Sequence, residues 1–386
     1  MAAPPQYPII DCDSHLTEDL DRLRELTDEK YRHLAPQMLD QGHGELFCLA
    51  GQYLPQPPGM SWGETTTPGA FHAKERKYTK YADGHVVGFD AKARLELMDE
   101  QGVWGSVIFP SMGLFAGVLQ NGNAAAGICR GVNRYLAEFC SENTDRLWNT
   151  ATVPIFDPLL AIQEAKYAVE KLNAVAIFSP SGLHGPAPLY TDMYAPFFDA
   201  MAELGVPFCT HTGAAVIPPR GLAAERFSGR FPPYHMTTHI CEAMIAAAGV
   251  LSYGILDQRP ELKVGFFEAG AGWAPFWIDK LHEKWEMMGW MMPEMPGDPF
   301  ETFRDRCFVT IEAEEANLAA TIDYFEGKAV GWSSDLPHFD CEDMGAPTAL
   351  IENERLTSEQ KYRLLNANTV EFFNLNVPAS AKAAAE

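Results

Sequence analysis

Basic residues, long apolar runs and paired cysteines are scarce in this 386-residue sequence. Its 29 Lys and Arg residues stand against 52 Asp and Glu residues, a formal net charge of −23. Phosphate backbones and anionic membrane surfaces are therefore poor partners, and we expect the protein to bind no nucleic acid and no membrane. No apolar run is long enough to span a bilayer, and the opening MAAPPQYP lacks the basic-then-apolar pattern of a secretory signal. These absences predict a soluble, cytoplasmic protein.

Disulfide and dinucleotide-binding signals are missing as well. The cysteines show no CxxC spacing, and several lie in apolar runs where a thiol acts as a small hydrophobic side chain, so we expect no disulfides. No glycine-rich phosphate loop follows the first predicted strand, and Gly270-Ala-Gly272 is too short a match to count. An open, doubly wound sheet is therefore the less favoured fold.

What the sequence does contain is a repeated alternation of apolar, β-rich runs and amphipathic helical segments. Eight such units without opposed hairpins predict an α/β fold, a parallel (β/α)8 TIM barrel. The predicted strands cover residues 7–15, 106–110, 150–155, 174–180, 206–212, 263–268, 307–311 and 329–335. Because a barrel of this type typically needs about 250 residues, the chain is predicted to be a single domain over residues 1–386 with an insertion.

The insertion is the stretch from about Leu20 to Val87, directly after the first strand. It is rich in Gly, Pro, Tyr and polar residues and shows little periodicity. Because it is too long for an ordinary connection, we expect it to run over the barrel and cover the pocket.

The first strand ends in three polar residues, Asp11, Asp13 and His15. Alternate residues of a strand share a face, so their side chains are predicted to project together. Carboxylate and imidazole groups packed this closely are joined best by a cation, and Zn, Fe and Mn accept this mixture of ligands. We interpret Asp13 and His15 as two ligands of one divalent metal. The alternative is that Asp11 caps a turn and His15 is a surface histidine.

Three later strand ends strengthen the metal hypothesis. The carboxyl ends of all strands meet at one face of a barrel, which would bring Asp13 and His15 close to His211, Glu268 and Asp335. We therefore predict a metal site that contains all five residues.

Each of the three later residues also has a structural alternative. His211 could be a core histidine bonded to a carbonyl group, whereas Glu268 and Asp335 could cap the turns that follow them. A single cation explains all of them together.

These motifs resemble a known family. Ile10-Asp-Cys-Asp-Ser-His15, Thr210-His-Thr212 and Gly331-Trp-Ser-Ser-Asp-Leu-Pro-His338 are similar to motifs of the amidohydrolase superfamily, in particular of its second group. That group includes aminocarboxymuconate-semialdehyde decarboxylase and related hydrolases, and its closing helix resembles Leu364-Leu-Asn-Ala-Asn-Thr-Val-Glu-Phe-Phe373. The resemblance implies metal-dependent hydrolysis or decarboxylation of a small carbonyl or carboxylate compound. By position it implies Asp13, His15, His211 and Asp335 as ligands, with Asp335 also a proton acceptor.

Two departures from the related decarboxylases affect the expected chemistry. Asp13 replaces the first histidine of a His-x-His motif, which makes the site harder and more anionic. Glu268 stands where those enzymes carry a catalytic histidine, so decarboxylation is not inherited directly.

The family's chemistry would use Asp335 to take a proton from metal-activated water, and Glu268 or His239 to protonate the leaving group. Members with two metals bridge them with a Lys or Glu from the fourth strand, and residues 174–179 offer neither. This favours one metal.

Four further groups of residues are candidates for the site. His235 and His239 have the spacing for one helix face, with His239 expected to open its helix and line the pocket. Glu18 is a helix cap or a second-metal ligand. Loop arginines could hold an anionic group or be solvated, and a Met- and Trp-rich segment could wall the pocket for an apolar or aromatic substrate or form a homodimer interface. The loop arginines are Arg220, Arg226 and Arg230. The Met- and Trp-rich segment contains Met287, Met288, Trp290, Met291 and Met292.

Two other functional classes stay open at this stage. A non-haem di-iron oxygenase on the same barrel could use the carboxylate-rich set, in which Asp11, Glu18 and His239 join the five residues already named. A non-catalytic metal-binding module is the third hypothesis, although such a module needs no open site beside a base.

Overall fold

The computed structural model describes residues 5, 7–42, 44–54, 60–70, 78–181, 186–213, 226–227, 230–341 and 343–378. Its strands are β1 (Ile9–Leu16), β2 (Gln37–Asp40), β3 (Glu45–Leu49), β4 (Gln52–Leu54), β5 (Val103–Pro110), β6 (Leu147–Thr152), β7 (Ala176–Pro180), β8 (Phe208–His211), β9 (Val264–Phe267), β10 (Cys307–Ile311) and β11 (Val330–Trp332). Its α-helices are α1 (Leu20–Leu26), α2 (Trp62–Thr65), α3 (Val86–Phe89), α4 (Ala91–Gln101), α5 (Gly122–Cys140), α6 (Pro158–Leu172), α7 (Ala195–Leu204), α8 (Phe231–Ser252), α9 (Ala274–Met288), α10 (Pro299–Arg306), α11 (Leu318–Tyr324), α12 (Thr348–Glu352), α13 (Ser358–Tyr362) and α14 (Asn368–Phe373).

Eight of these strands form one parallel sheet in the order β1–β5–β6–β7–β8–β9–β10–β11. The two ends of this order meet through backbone hydrogen bonds between β1 and the segment that follows β11. Asp335 N donates to Asp13 O at 3.1 Å, and His15 N donates to Leu336 O at 2.7 Å. The predicted (β/α)8 barrel is confirmed, and all eight carboxyl ends point to one face.

The barrel interior is filled by aromatic and aliphatic side chains. Phe109, Phe178 and Phe267 are fully buried in one interior cluster. Phe372 of α14 belongs to the same cluster, and its ring stacks on that of Phe308 with ring centroids 4.5 Å apart. The core is thus apolar from its base up to the strand ends, where the polar residues begin.

Local signals in the sequence explain most helix boundaries. Asp90 accepts a hydrogen bond from Lys92 N at the start of α4, and Gly102 ends the helix at φ 72°. The predicted start of the helix after the fifth barrel strand was wrong, because α8 begins at Phe231 and not near His239. Pro232 and Pro233 occupy its first turn, where a missing backbone N–H costs little.

The insertion has more regular structure than its composition predicted. It contains α1, a three-stranded antiparallel sheet of β2, β3 and β4, and the short helix α2. These antiparallel strands lie within the insertion, outside the eight strand-and-helix units of the barrel. Phe47 of β3 is fully buried, with its ring 5.6 Å from Trp62 and 6.0 Å from Phe115 of the barrel body.

In the described part of the chain, no helix combines the length and apolar character needed to cross a membrane. A cytoplasmic location stays a prediction from the sequence.

Candidate metal centre

The strand ends bring the predicted site residues together. Asp13 and His15 come from the end of β1 and His211 from the last position of β8, whereas Glu268 follows β9 and Asp335 lies three residues beyond β11. Asp13 Oδ1 is 3.6 Å from His15 Nε2 and 3.3 Å from His211 Nε2. The residues predicted from separate strands therefore form one cluster.

His15 has the geometry of a metal ligand. Its Nδ1 is 2.9 Å from Pro110 O, and because a carbonyl oxygen only accepts, Nδ1 carries the proton. Nε2 is then an unprotonated acceptor, buried and without a hydrogen-bond partner. It lies 3.3 Å from Asp335 Oδ1, and burial lowers the pKa of His15 well below its usual range. A cation between them would stabilise a lone pair that faces two carboxylates.

His211 is oriented in the same way by its other nitrogen. Nδ1 contacts both Thr212 O at 3.0 Å and Glu268 Oε2 at 3.1 Å, which leaves Nε2 turned toward Asp13. Burial alone would lower the pKa of His211, but the nearby Asp13 and Glu268 carboxylates outweigh it and raise that pKa well above its usual range. These contacts show how strongly the cluster attracts positive charge.

Two acidic residues of the site adopt left-handed backbone conformations. Glu268 has φ 56° and Asp335 has φ 54°, values that non-glycine residues seldom adopt outside functional sites and turns. Thr310 Oγ1 accepts from Glu268 N, and Thr212 Oγ1 donates to Glu268 O at 2.7 Å. The strained conformation of Glu268 is thus fixed by neighbouring strands.

Asp11 has a structural role next to the cluster. It accepts hydrogen bonds from Ser334 N at 3.1 Å and Ser334 Oγ at 2.5 Å, and burial raises its pKa to about 7. It therefore anchors the loop that carries Asp335.

His338 belongs to the site although it was not predicted as a site residue. Its Nδ1 is 2.8 Å from Asp335 Oδ1, and its ring centroid is 4.0 Å from that of His15. Ser111 Oγ lies 3.0 Å from His338 Nε2. The available signal was its position three residues after Asp335 in the strand-eight motif.

Two overlapping sets of donor atoms lie close enough to share an ion. Within each set the ligand atoms are no more than 4.8 Å apart, and both sets include His15. The sets are Asp13, His15 and His211, and His15, Asp335 and His338. Burial, followed by neighbouring carboxylates, raises the pKa of Asp335 well above its usual range, which a bound cation would offset. The mixed oxygen and nitrogen donors fit Zn, Mn or Fe.

His239 lies beside the cluster without joining either donor set. Its ring stacks on that of His235 at 3.8 Å, and its Nδ1 donates to His235 O at 2.9 Å. Burial lowers the pKa of His239 and lowers that of His235 to about 3. Both imidazoles are therefore neutral, and His239 offers Nε2 as an acceptor within electrostatic range of Glu268.

The Glu18 carboxylate caps the turn that begins at Met112, and not helix α1, which begins two residues after Glu18. It accepts from Met112 N at 3.0 Å and Gly113 N at 2.7 Å, and Tyr81 of the insertion donates to it at 3.1 Å. The cap of α1 is Asp19. Glu18 therefore caps the 3-10 helix Met112–Val118, in agreement with its interpretation as a capping residue.

The remaining candidates contribute less to the cluster. Arg220 lies outside the described residues, and Arg226 and Arg230 are exposed. In the Met- and Trp-rich segment, Met287, Trp290 and Met291 are strongly exposed.

A small recess of about 40 Å³ opens beside Asp335. Its walls include Asp340, Glu312, Glu314 and Trp332. A volume of this size holds bound water.

Comparison with known proteins points to one family. A family model described as amidohydrolase matches residues 10–375. Gamma-resorcylate decarboxylase of Rhodococcus jostii (strain RHA1) is 28% identical over 190 residues, which are 46% of this chain and 56% of that protein. The chain thus spans little more than half the length of this curated relative.

Two solved structures have the same fold. An amidohydrolase from Mycobacterium avium subsp. paratuberculosis K-10 has a TM-score of 0.78 at 20% identity, covering 95% of this chain and 99% of that chain. A dihydroxybenzoic acid decarboxylase from Polaromonas sp. JS666, solved with bound manganese and the inhibitor 2-nitroresorcinol, has a TM-score of 0.66 at 18% identity. That likeness covers 97% of this chain and 99% of the other.

Proposed function

The chain belongs to the amidohydrolase family, as its motifs predicted, and on that premise we propose that it is a metal-dependent carboxy-lyase or hydrolase of small aromatic compounds. Decarboxylation of an aromatic carboxylate is the reaction we favour, because the curated relative and the manganese-containing neighbour are both named as decarboxylases. One divalent ion, Mn, Zn or Fe, is the proposed cofactor.

The observation that carries this proposal is the buried, unpartnered Nε2 of His15 between two carboxylates. We propose Asp13, His15, His211 and Asp335 as the ligands. A divalent ion bound there supplies Lewis-acid polarisation of a substrate carboxylate or carbonyl oxygen. Glu268 contacts the outer nitrogen of His211, so we propose that it orients this ligand and faces the substrate.

The hydrogen bonds of His338 specify where a proton is held. Ser111 Oγ donates its only proton to Leu16 O at 2.7 Å, so it can only accept from His338 Nε2. Burial lowers the pKa of His338. The contact of 2.8 Å between His338 Nδ1 and Asp335 Oδ1 requires one proton between the two atoms. We propose that Asp335 and His338 share this proton during the reaction.

His239 would act as a proton acceptor. Its Nδ1–H is committed to a backbone carbonyl, so a neutral His239 can receive a proton at Nε2 but cannot donate one from there. The expected protonation of a leaving group by His239 therefore requires that Nε2 first be protonated.

The experiment combines metal loading with a substrate panel. The protein is stripped with chelator, reloaded with Mn, Zn or Fe, and assayed for CO₂ release from hydroxylated benzoates and for hydrolysis of aryl amides and esters. Metal-dependent turnover of either class supports the proposal. Two irons per chain with O₂-dependent turnover would contradict it and favour the oxygenase alternative.

Two further properties are proposed with the function. We propose that the insertion covers the pocket, because the Tyr81–Glu18 hydrogen bond ties it to the barrel beside the end of β1. We propose a homodimer that buries the exposed side chains of Phe276, Met287 and Trp290. Light scattering of the purified protein tests the dimer, and a monomer at micromolar concentration would contradict it.

A further inference from the structure

The barrel has a seam at which its first and last strands meet. Among the described residues, the ladder hydrogen bonds of the sheet do not pair β1 with β11, and the seam closes through two backbone bonds between β1 and the segment that follows β11. One joins Asp335 N to Asp13 O, and the other joins His15 N to Leu336 O. Three proposed metal ligands therefore lie on the seam, and its geometry sets how far apart they are.

The buried guanidinium group of Arg94 bridges the two sides of this seam. Arg94 of α4 is only 1% exposed. It donates from Nη1 to Ser14 Oγ at 2.5 Å, and from Nη2 to His15 O at 2.5 Å and Leu336 O at 3.3 Å. Its Nε donates to Val87 O at 3.1 Å, at the end of the insertion.

Arg94 has no ion-pair partner in the part of the chain that the structure describes. Its four acceptors are three carbonyl oxygens and one hydroxyl group. Burial lowers its pKa to about 10, so it keeps its charge at neutral pH. A buried charge is costly unless its hydrogen bonds are met, and only the planar fork of arginine can reach acceptors on three separate segments at once.

A second tether fixes the other side of Asp335. Asp11 holds Ser334, the residue before Asp335, while Arg94 holds Leu336, the residue after it. Asp335 is thus clamped on both sides in its left-handed conformation.

We propose that Arg94 is a positioning residue for the metal centre, which sets the separation of His15 and Asp335 and links the end of the insertion to metal affinity. This proposal rests on the proposed function only in that His15 and Asp335 bind a divalent ion. Arg94 touches neither the ion nor the substrate, and acts through the backbone of one ligand and the neighbour of another.

The test compares Mn²⁺ dissociation constants of chelator-stripped wild type, Arg94→Met, Arg94→Lys and Arg259→Met by calorimetric titration. Arg259 is a matched control, because it is a buried arginine bonded to backbone carbonyls of Ala195 and Ile255 and to Asp199, away from the seam. All titrations are run below the unfolding transition of each variant. Arg94→Met should weaken Mn²⁺ binding by about 10- to 100-fold, as for other residues that support metal ligands. The Mn²⁺ dissociation constant of Arg94→Lys should fall between those of Arg94→Met and wild type. Arg259→Met should lower the melting temperature and leave the dissociation constant unchanged.

Two results would overturn the proposal. One is a folded Arg94→Met protein that binds Mn²⁺ as wild type does. The other is an equal loss of affinity in Arg259→Met, which would show a general effect of destabilisation. If Arg94→Met does not fold, Ser14→Ala replaces it, since it removes one acceptor of the guanidinium, and wild-type affinity in both Ser14→Ala and Arg94→Lys would refute the inference. Wild-type protein that binds none of Mn, Zn or Fe would instead refute the proposed function.

Discussion

Replacing Glu268 by Gln tests the link between a pocket carboxylate and the metal centre. Glu268 Oε2 lies 3.1 Å from His211 Nδ1, and the hydrogen bond from His211 helps to hold the pKa of Glu268 well below its usual range against the effect of burial. The amide keeps the shape of the side chain but removes its charge. Its single carbonyl oxygen is a weaker, uncharged acceptor for His211 Nδ1.

The expected loss of metal affinity follows from the contact between Glu268 and the proposed metal ligand His211. Loss of a carboxylate that orients a ligating histidine typically weakens metal binding by about 10- to 100-fold. That range corresponds to roughly 1.4 to 2.8 kcal/mol of binding free energy. If Glu268 also transfers a proton, turnover of the metal-saturated variant should fall by about 10²- to 10⁴-fold.

The assay separates these two effects. Equilibrium dialysis with elemental analysis gives the dissociation constant and the stoichiometry, and turnover is measured at saturating metal. Glu315→Gln is the control, because Glu315 accepts from Ala271 N and Gly272 N on the same loop without contacting His211. Wild-type affinity and wild-type turnover in Glu268→Gln would refute the reasoning, whereas a lower metal stoichiometry at saturation would identify Glu268 as a ligand.

Three further predictions concern stability. Glu18→Gln should destabilise the protein by about 1.5–3 kcal/mol in urea unfolding, since a charged acceptor of buried hydrogen bonds is lost, and an unchanged midpoint would contradict its capping role. Phe47→Ala should cost about 3–5 kcal/mol by leaving a cavity between the insertion and the barrel, and a loss below about 1 kcal/mol would show that the two do not pack together. The hydrogen bond to Asp298 raises the pKa of His282 above 6.5, so its stabilisation is complete below pH 6.5 and is lost as the pH rises through the raised value. His282→Gln should remove this part of the pH dependence of the melting temperature, and an unchanged profile would contradict it.

The sequence was most informative where structure depends on local pattern. The apolar runs placed all eight barrel strands, because each strand is buried on both faces and reads as a continuous apolar segment. The same reasoning predicted that Asp13, His15, His211 and Asp335 lie together, since the end of each run marks the active face of a barrel. The family motifs added the expected metal.

The features that were missed depend on contacts between distant segments. Arg94 has the sequence context of a surface residue on a helix, and only closure of the seam shows that it is buried. His338 stands in a quoted motif, but its role depends on the position of Ser111, far away in the sequence. The antiparallel sheet of the insertion was missed because its strands are short and lie among Gly and Pro residues. The Pro pair at the start of α8 was not recognised as a helix start.

The central claim, that His15, His211 and two aspartates bind one divalent ion, is tested most directly by the metal content of His211→Ala. Stripped wild type and variant are reloaded with Mn²⁺, dialysed and analysed for bound metal, with circular dichroism to show that both are folded. Wild type should bind a single ion per chain, and His211→Ala should lose it while keeping the barrel, whose core is apolar. A folded His211→Ala protein that retains stoichiometric Mn²⁺ with wild-type affinity would contradict the account.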